Sequence, residues 1–275
     1  MRRPAKPLAA VPKIPFNRLG GEGNPELADD RKQIGLIGLG AFGRFAAGHL
    51  APHFDIRGHD PQALPVEGIS HVSLREVASC PVIVLAVPVQ ALAQTCRDIA
   101  PCLHEGVLVL DVASVKVEPM RVMREALPAH VRIIGTHPLF GPQSAAKGLA
   151  GQSIVLCPDT GVDAAPVVAL CERLGLDVHL SDPDTHDRAM ANVQALTHLV
   201  SRVIAELDIS PPPYTTKSYD LLRQATDLVR NDSDELFQAI EQLNPYAASL
   251  RKRFFEAARA FDGRLDAGSG AGSGE

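Results

Sequence analysis

The chain has no tryptophan, and aromatic residues make up only 4% of it. Flat platforms for stacking nucleic-acid bases are therefore not expected. It also lacks a stripe of one charge: 27 basic residues against 32 acidic ones leave a formal charge of −5 and a pI near 6.1. On that balance no nucleic-acid partner is expected. The longest apolar run, Pro81 to Val89, falls far short of the roughly 20 residues of a membrane-spanning helix, so no membrane partner is expected either. The N-terminus, MRRPAKPLAAVPKIPFNRLGG, is basic and proline-rich and lacks the continuous apolar stretch of a secretory signal. Cysteines 80, 96, 102, 157 and 171 are odd in number and show no CxxC spacing. Neither a disulfide framework nor a metal site is read from them, and reduced thiols in a cytoplasm are the expectation. No internal repeat is present.

What remains is an ordinary globular composition, 45% apolar in 275 residues, enough for one large domain or two modest ones. Residues 1–30 carry Pro, Gly and charge without periodicity and read as a flexible arm. From Lys32, short apolar runs alternate with helical spacings. Strands are expected at Ile34–Gly38, Phe54–His59, Val82–Val87, Val107–Val112, Arg132–Gly135 and Ser153–Cys157. Helices are expected at Phe42–Leu50, Pro88–Ala100, Val117–Leu127 and Ala164–Leu174. This alternation predicts an α/β fold, a Rossmann-type doubly wound parallel sheet over 31–183. Beyond it, Asp182 or Asp184 offers a helix cap, and Arg188–Leu207 has helical spacing without Pro or Gly. PPPY at 211–214 breaks it, and two more helices are expected at about 218–230 and 233–261. The second domain, 184–263, is thus expected to be all helical, to contribute to the substrate site and to form a homodimer. A disordered tail is expected over 264–275, where GSGAGSGE is of low complexity.

The chemistry starts at Gly38-Leu39-Gly40-Ala41-Phe42-Gly43, a GxGxxG placed after a strand and opening a helix. Gly38 permits the tight turn, Gly40 lets backbone approach a pyrophosphate, and Gly43 lets the helix pack close. The helix N-terminus supplies N–H donors and a favourable dipole. The other reading is a tight turn without a cofactor. Asp60, 22 residues after Gly38, is placed to bind the ribose hydroxyls and to repel a 2′-phosphate. NAD is therefore expected over NADP, with Arg57 and His59 nearby to soften the preference. Val87-Pro88 ends a strand at the switch point, where cofactors lie in such sheets.

Two polar segments follow later strands at the same edge, Asp111-Val-Ala-Ser114-Val-Lys116 and Gly135-Thr-His137-Pro-Leu-Phe-Gly141-Pro-Gln143-Ser144. A loop histidine there can take the proton of a substrate hydroxyl while hydride leaves the same carbon. A serine hydroxyl can bond both the histidine and the substrate oxygen. The bland alternative is a solvated loop histidine.

THPLFGPQSA, DVASVK and HDRAMANVQALTHLVSRV, in this order, resemble the prephenate and arogenate dehydrogenase family, over roughly 32–255. The resemblance implies oxidative decarboxylation of prephenate or arogenate, in tyrosine biosynthesis. It implies His137 as the proton acceptor and Ser114 as the serine hydrogen-bonded to it and near the cofactor. It implies His198 as a second histidine near the substrate, with Gln194 one turn earlier and Gln143 and Ser144 as further substrate contacts. Carboxylate partners are sought among Lys116, Lys147, Lys217 and Arg223, with Lys217 the best placed. Where some prephenate-specific relatives carry an arginine, this chain has Thr216-Lys217-Ser218-Tyr219-Asp220, which is similar to the plant arogenate enzymes. Asp232 then corresponds to an acid tied there to arogenate preference, though NDSDEL also reads as a helix cap. The plant group usually uses NADP, against the Asp60 reading. No fused mutase or regulatory domain is expected before 31 or after 263. Two alternatives stay open: another two-domain dehydrogenase of the β-hydroxyacid or imine-reductase type, which uses a lysine or aspartate on the long helix where this chain has Asp187 and no lysine over 184–208, and a non-catalytic NAD-binding module.

Overall fold

The computed structural model describes residues 32–62, 66–210, 212–230 and 232–270; the expected arm at 1–30 lies outside them. Its strands are β1 (Gln33–Ile37), β2 (Asp55–His59), β3 (Ser70–His71), β4 (Val82–Leu85), β5 (Leu108–Asp111), β6 (Arg132–Pro138), β7 (Ser153–Pro158) and β8 (Asp177–Leu180). They form one sheet in the order β3-β2-β1-β4-β5-β6-β7-β8. All pairs are parallel except β6 with β7. The parallel expectation is corrected there: the short turn-rich link from Pro138 to Ser153 returns the chain alongside β6 without a crossover helix.

Around the sheet lie α1 (Ala41–Leu50), α2 (Leu74–Ala78), α3 (Val89–Ile99), α4 (Val117–Ala126) and α5 (Ala165–Arg173). Val82-Ile-Val-Leu85 has too little polar character for a half-solvated strand, and both its faces are covered. Ile83 and Leu85 pack with Leu92, Cys96, Met120 and Met123 from α3 and α4. Val84 packs on the other face with Leu36, Ile56 and Ala47 of α1. Side chains as buried as Ile83, Leu92 and Met120 contribute roughly 1.5–3 kcal/mol each.

After β8 the chain is helical: α6 (Pro183–Met190), a π turn (Ala191–Ala195), α7 (Leu196–Glu206), α8 (Lys217–Val229), α9 (Asp234–Gln238), a second π turn (Ala239–Leu243) and α10 (Ala247–Gly270). Of the two caps offered by the sequence, Asp182 is used: its side chain accepts from Thr185 N at 2.9 Å. The expected single helix over 233–261 is instead broken at Asn244-Pro245, because a proline ring in a helix interior removes a donor and clashes with the preceding turn. The tail expected over 264–275 is described only as far as Gly270. Helix α10 continues to Gly270, and Arg264 stacks on the Phe261 ring 5.1 Å from its centroid; residues 271–275 lie outside the description.

Strand β1 and strand β4 are neighbours whose following segments leave the sheet together, the turn Gly38–Gly40 from one and Ala86–Pro88 from the other. Gly38 has φ +94°, and a Cβ on it would lie 2.4 Å from the Ala86 carbonyl oxygen. A Cβ on Gly43 would lie 2.0 Å from the Gly38 carbonyl oxygen, whereas one on Gly40 would meet nothing within 4 Å. Two glycines thus close the turn and the middle one opens it. Gly43→Ala is expected to cost about 1–3 kcal/mol, as overpacking does; a urea-unfolding midpoint equal to wild type would contradict this contact.

Candidate active site

An 820 Å³ cleft runs between the carboxyl edge of the sheet and the helical segments. Its walls include Gly40–Phe42, Ala86–Gln90, Val112–Ser114, His137–Ser144, and residues of α6 to α9. Of the residues singled out from sequence, Gly40, Ala41, Phe42, Val87, Pro88 and Ser114 line one side. His137, Gln143, Ser144, Gln194, His198 and Asp232 complete it. Gly38, Leu39, Gly43, Asp60 and Lys217 do not line it. Gly38 and Gly43 shape the turn, and Leu39 is fully buried in the core. The N–H of Leu39 donates to Asp60 Oδ2 at 2.8 Å, and Gln62 N donates to Asp60 Oδ1 at 2.8 Å. Asp60 is therefore anchored against the glycine turn at the tip of β2.

These features fit a dinucleotide. The first turn of α1 has no side-chain cap on its N–H groups, and the Cβ-free face of Gly40 gives a pyrophosphate room to approach them. When bound, a nicotinamide cofactor supplies a hydride acceptor.

His137 sits on strand β6 itself, not on a loop beyond it, and is buried. Its Nδ1 lies 2.9 Å from His186 Nε2. Ser114 shares the cleft wall, but no hydrogen bond joins it to His137 among the described contacts; the partner of the ring is His186, a residue that the sequence reading passed over. His186 Nδ1 lies 2.8 Å from Asp187 Oδ1. Asp187 in turn accepts from the backbone N–H of Lys116 at 2.7 Å and of Val117 at 2.9 Å, at the start of α4. Burial, the neighbouring His186, the Lys116 charge and His198 hold the His137 pKa well below the ordinary 6.5, so this ring is neutral and able to accept a proton at physiological pH.

Lys116, one of the proposed carboxylate partners, is fully buried. Its ammonium is paired with Asp111 and donates to the Thr136 carbonyl at 2.6 Å. It serves the scaffold rather than the cleft. Lys147, Lys217 and Arg223 are exposed and off the cleft wall. Among the described residues, no Lys or Arg lines the cleft. Asp232 and Glu235 are its charged groups.

On the helical side, the π turn Ala191–Ala195 carries Gln194, whose Oε1 is buried without a hydrogen-bond partner. Such turns often mark functional sites. His198, in α7, is buried, with Nδ1 3.7 Å from Asp232 Oδ2. Proximity suggests an ion pair, but burial depresses His198 to about 4 and raises Asp232. Desolvation outweighs the attraction here, and the imidazole is neutral at pH 7. The cap of α9 is Ser233, which accepts from Leu236 N at 3.2 Å. The Asp232 carboxylate is therefore free of the capping role and faces the cleft.

Residues 62–177 match the family model described as prephenate dehydrogenase, nucleotide-binding domain; the glycine turn Gly38–Gly43 lies outside that segment. The chain is 26% identical over 184 residues to a probable arogenate/prephenate dehydrogenase of Methanocaldococcus jannaschii, covering 63% of this chain and 41% of that protein. It is 30% identical over 158 residues to a chloroplastic arogenate dehydrogenase 2 of Arabidopsis thaliana, covering 55% and 44%. The chain thus spans about two fifths of the length of these curated relatives. In fold it is similar to the prephenate dehydrogenase from A. aeolicus solved with hydroxyphenyl propionate and NAD+, with a TM-score of 0.66 at 19% identity over 88% of this chain and 92% of that one.

The unfolded His198 ring binds a proton near 6.5 and the folded ring only near 4. The unfolded state therefore takes up the proton first as pH falls, and stability, whole above pH 6.5, declines toward pH 4. His198→Gln is expected to flatten that decline in thermal-unfolding midpoints; an identical pH profile would show that the ring is not held neutral by burial.

Proposed function

We propose, from the premise that this chain is a relative of the prephenate and arogenate dehydrogenases, that it oxidatively decarboxylates arogenate or prephenate with a nicotinamide cofactor, in tyrosine biosynthesis. The observation that carries the reading is the neutral, buried His137 on the wall of a cleft that also contains the open face of the glycine turn. Hydride leaves the ring carbon that bears the hydroxyl, and His137 takes the hydroxyl proton. The ring carboxylate departs as carbon dioxide. Its bonding electrons complete the aromatic ring, and the phenolate oxygen recovers a proton. The protein's task is then alignment and stabilisation of charge.

Asp60 at the tip of β2 supports NAD over NADP, since a carboxylate repels a 2′-phosphate. Asp232 on the cleft wall supports arogenate over prephenate, since its charge pairs with an ammonium and opposes a pyruvyl group. Gln194, His198, Gln143 and Ser144 are the remaining proposed substrate contacts, and Ser114 sits between substrate and cofactor. Within this reading, 31–183 serves as the dinucleotide-binding domain and 184–263 as the helical substrate domain. A cytoplasmic setting is supported by five free cysteines; no helix among the described residues is long and apolar enough to cross a membrane.

Assaying prephenate and arogenate, each with NAD and NADP, tests substrate and cofactor together; arogenate with NAD is the expected best pair. His137→Asn is expected to lower turnover by about 10²–10⁴-fold, the range of a lost general base, while NAD still binds. Full activity in that variant would remove the proposed base. Val203, Leu207, Leu221, Leu222 and Leu265 expose apolar surface on the helices, which supports a homodimer through this part. Sedimentation is expected to show two copies; a monomer at micromolar concentration would refute it.

A further inference from the structure

His186 and Asp187 are absent from the cleft wall, yet both are buried directly behind His137. Their hydrogen bonds run in a fixed direction. Asp187 Oδ1 accepts the N–H of Lys116 and Oδ2 that of Val117, at the positive end of α4. Those donors satisfy the carboxylate as an anion, which can only accept. His186 Nδ1, 2.8 Å from Oδ1, must therefore carry a hydrogen. With its one hydrogen held on Nδ1 by Asp187, the His186 ring presents Nε2 as a bare acceptor. It lies 2.9 Å from His137 Nδ1, so that nitrogen is the donor. The ring nitrogen of His137 left without a hydrogen is Nε2. The direction of one carboxylate's hydrogen bonds thus sets the protonation pattern two side chains away.

We propose that His186 and Asp187 are positioning residues that hold His137 as the Nδ1–H tautomer, leaving Nε2 as the lone pair that receives the substrate's proton. The inference rests on the dehydrogenase reading for its consequence, but the tautomer itself does not depend on the substrate. When His137 becomes cationic, its Nδ1–H stays directed at His186, so the positive charge is shared along the chain toward Asp187. Asn244 Nδ2, which donates to the Asp187 carbonyl at 2.8 Å, pins the backbone of this pair to the segment before α10. The element that carries the relay is α6, which also begins the helical region, so the state of the base is tied to the seating of the helices on the sheet.

The test uses ¹⁵N-histidine-labelled full-length protein, with the His137 resonances assigned against His137→Asn. Wild type is expected to show hydrogen on Nδ1 and none on Nε2. In His186→Leu the Nδ1–H loses its acceptor, so the Nε2–H tautomer is expected to appear and kcat to fall on the order of 10²-fold, with NAD affinity unchanged. His186→Gln, whose amide oxygen can accept the same hydrogen, is expected to keep the tautomer and to stay within about tenfold of wild type. A wild-type His137 with hydrogen on Nε2 overturns the proposal, as does a His186→Leu protein with unchanged tautomer and kcat. Should His186→Leu not fold, the wild-type tautomer and the His186→Gln variant decide. Should wild type turn over neither substrate, the dehydrogenase reading fails while the tautomer still decides this one.

Discussion

Lys116 and Asp111 form an ion pair that solvent does not reach, at the point where β5 ends and β6 continues into the cleft. The pair is more than a contact between two charges. The Lys116 ammonium also bonds the Thr136 carbonyl, and Asp111 accepts from the Ala113 and Thr136 N–H groups at 2.9 and 3.3 Å. One cluster therefore sets the loop that carries Ser114 and the strand residue just before His137. A buried pair is weak evidence of net stability, because desolvation of both charges offsets their attraction. Its value is geometric: neither partner can move without leaving a charge alone in the core.

From this cluster the order propagates outward. The backbone N–H groups of Lys116 and Val117 hold Asp187, Asp187 holds His186, and His186 meets His137. The two parts of the molecule are thereby joined through the inside of the site and not only around its rim. The cleft that results has an apolar character broken by a few polar groups. Its neutral histidines and its unpaired Gln194 oxygen owe their state to dryness more than to neighbouring charge.

Much of this architecture was legible in the residues. The glycine turn, β1 and α1 follow from local spacing, and the strand series to β7 from short apolar runs. Strand β3 has two residues, and β8 lies at an edge with mostly exposed side chains, so neither leaves a periodic trace. Helix α2 could have been found: Ser73 and Glu76 form a capping box. The break at Asn244-Pro245 was likewise written in the sequence. The reversal of β7 was not, because direction in a sheet depends on the route of the connection rather than on side-chain pattern. In the site, His137, His198, Gln194 and Asp232 line one cleft. Among the described contacts the hydrogen bond expected from Ser114 to His137 is not formed, and Lys217, the cation expected for a substrate carboxylate, does not line the cleft. His186 and Asp187 were visible as neighbours on a helix, but their partners are 49 and about 70 residues away, a separation no local pattern reports.

Strand β6 outruns its parallel neighbour. Residues 132–135 pair with β5, while Thr136, His137 and Pro138 are held from the other side by Leu156, Val155 and Ile154 of the antiparallel β7. The imidazole is consequently mounted on a braced overhang, gripped by main-chain bonds on its β7 side. Insertions or deletions in the connector between 139 and 152 can remodel the mouth of the cleft without shifting the ring, so a lineage could redesign what enters while keeping the reacting centre in place.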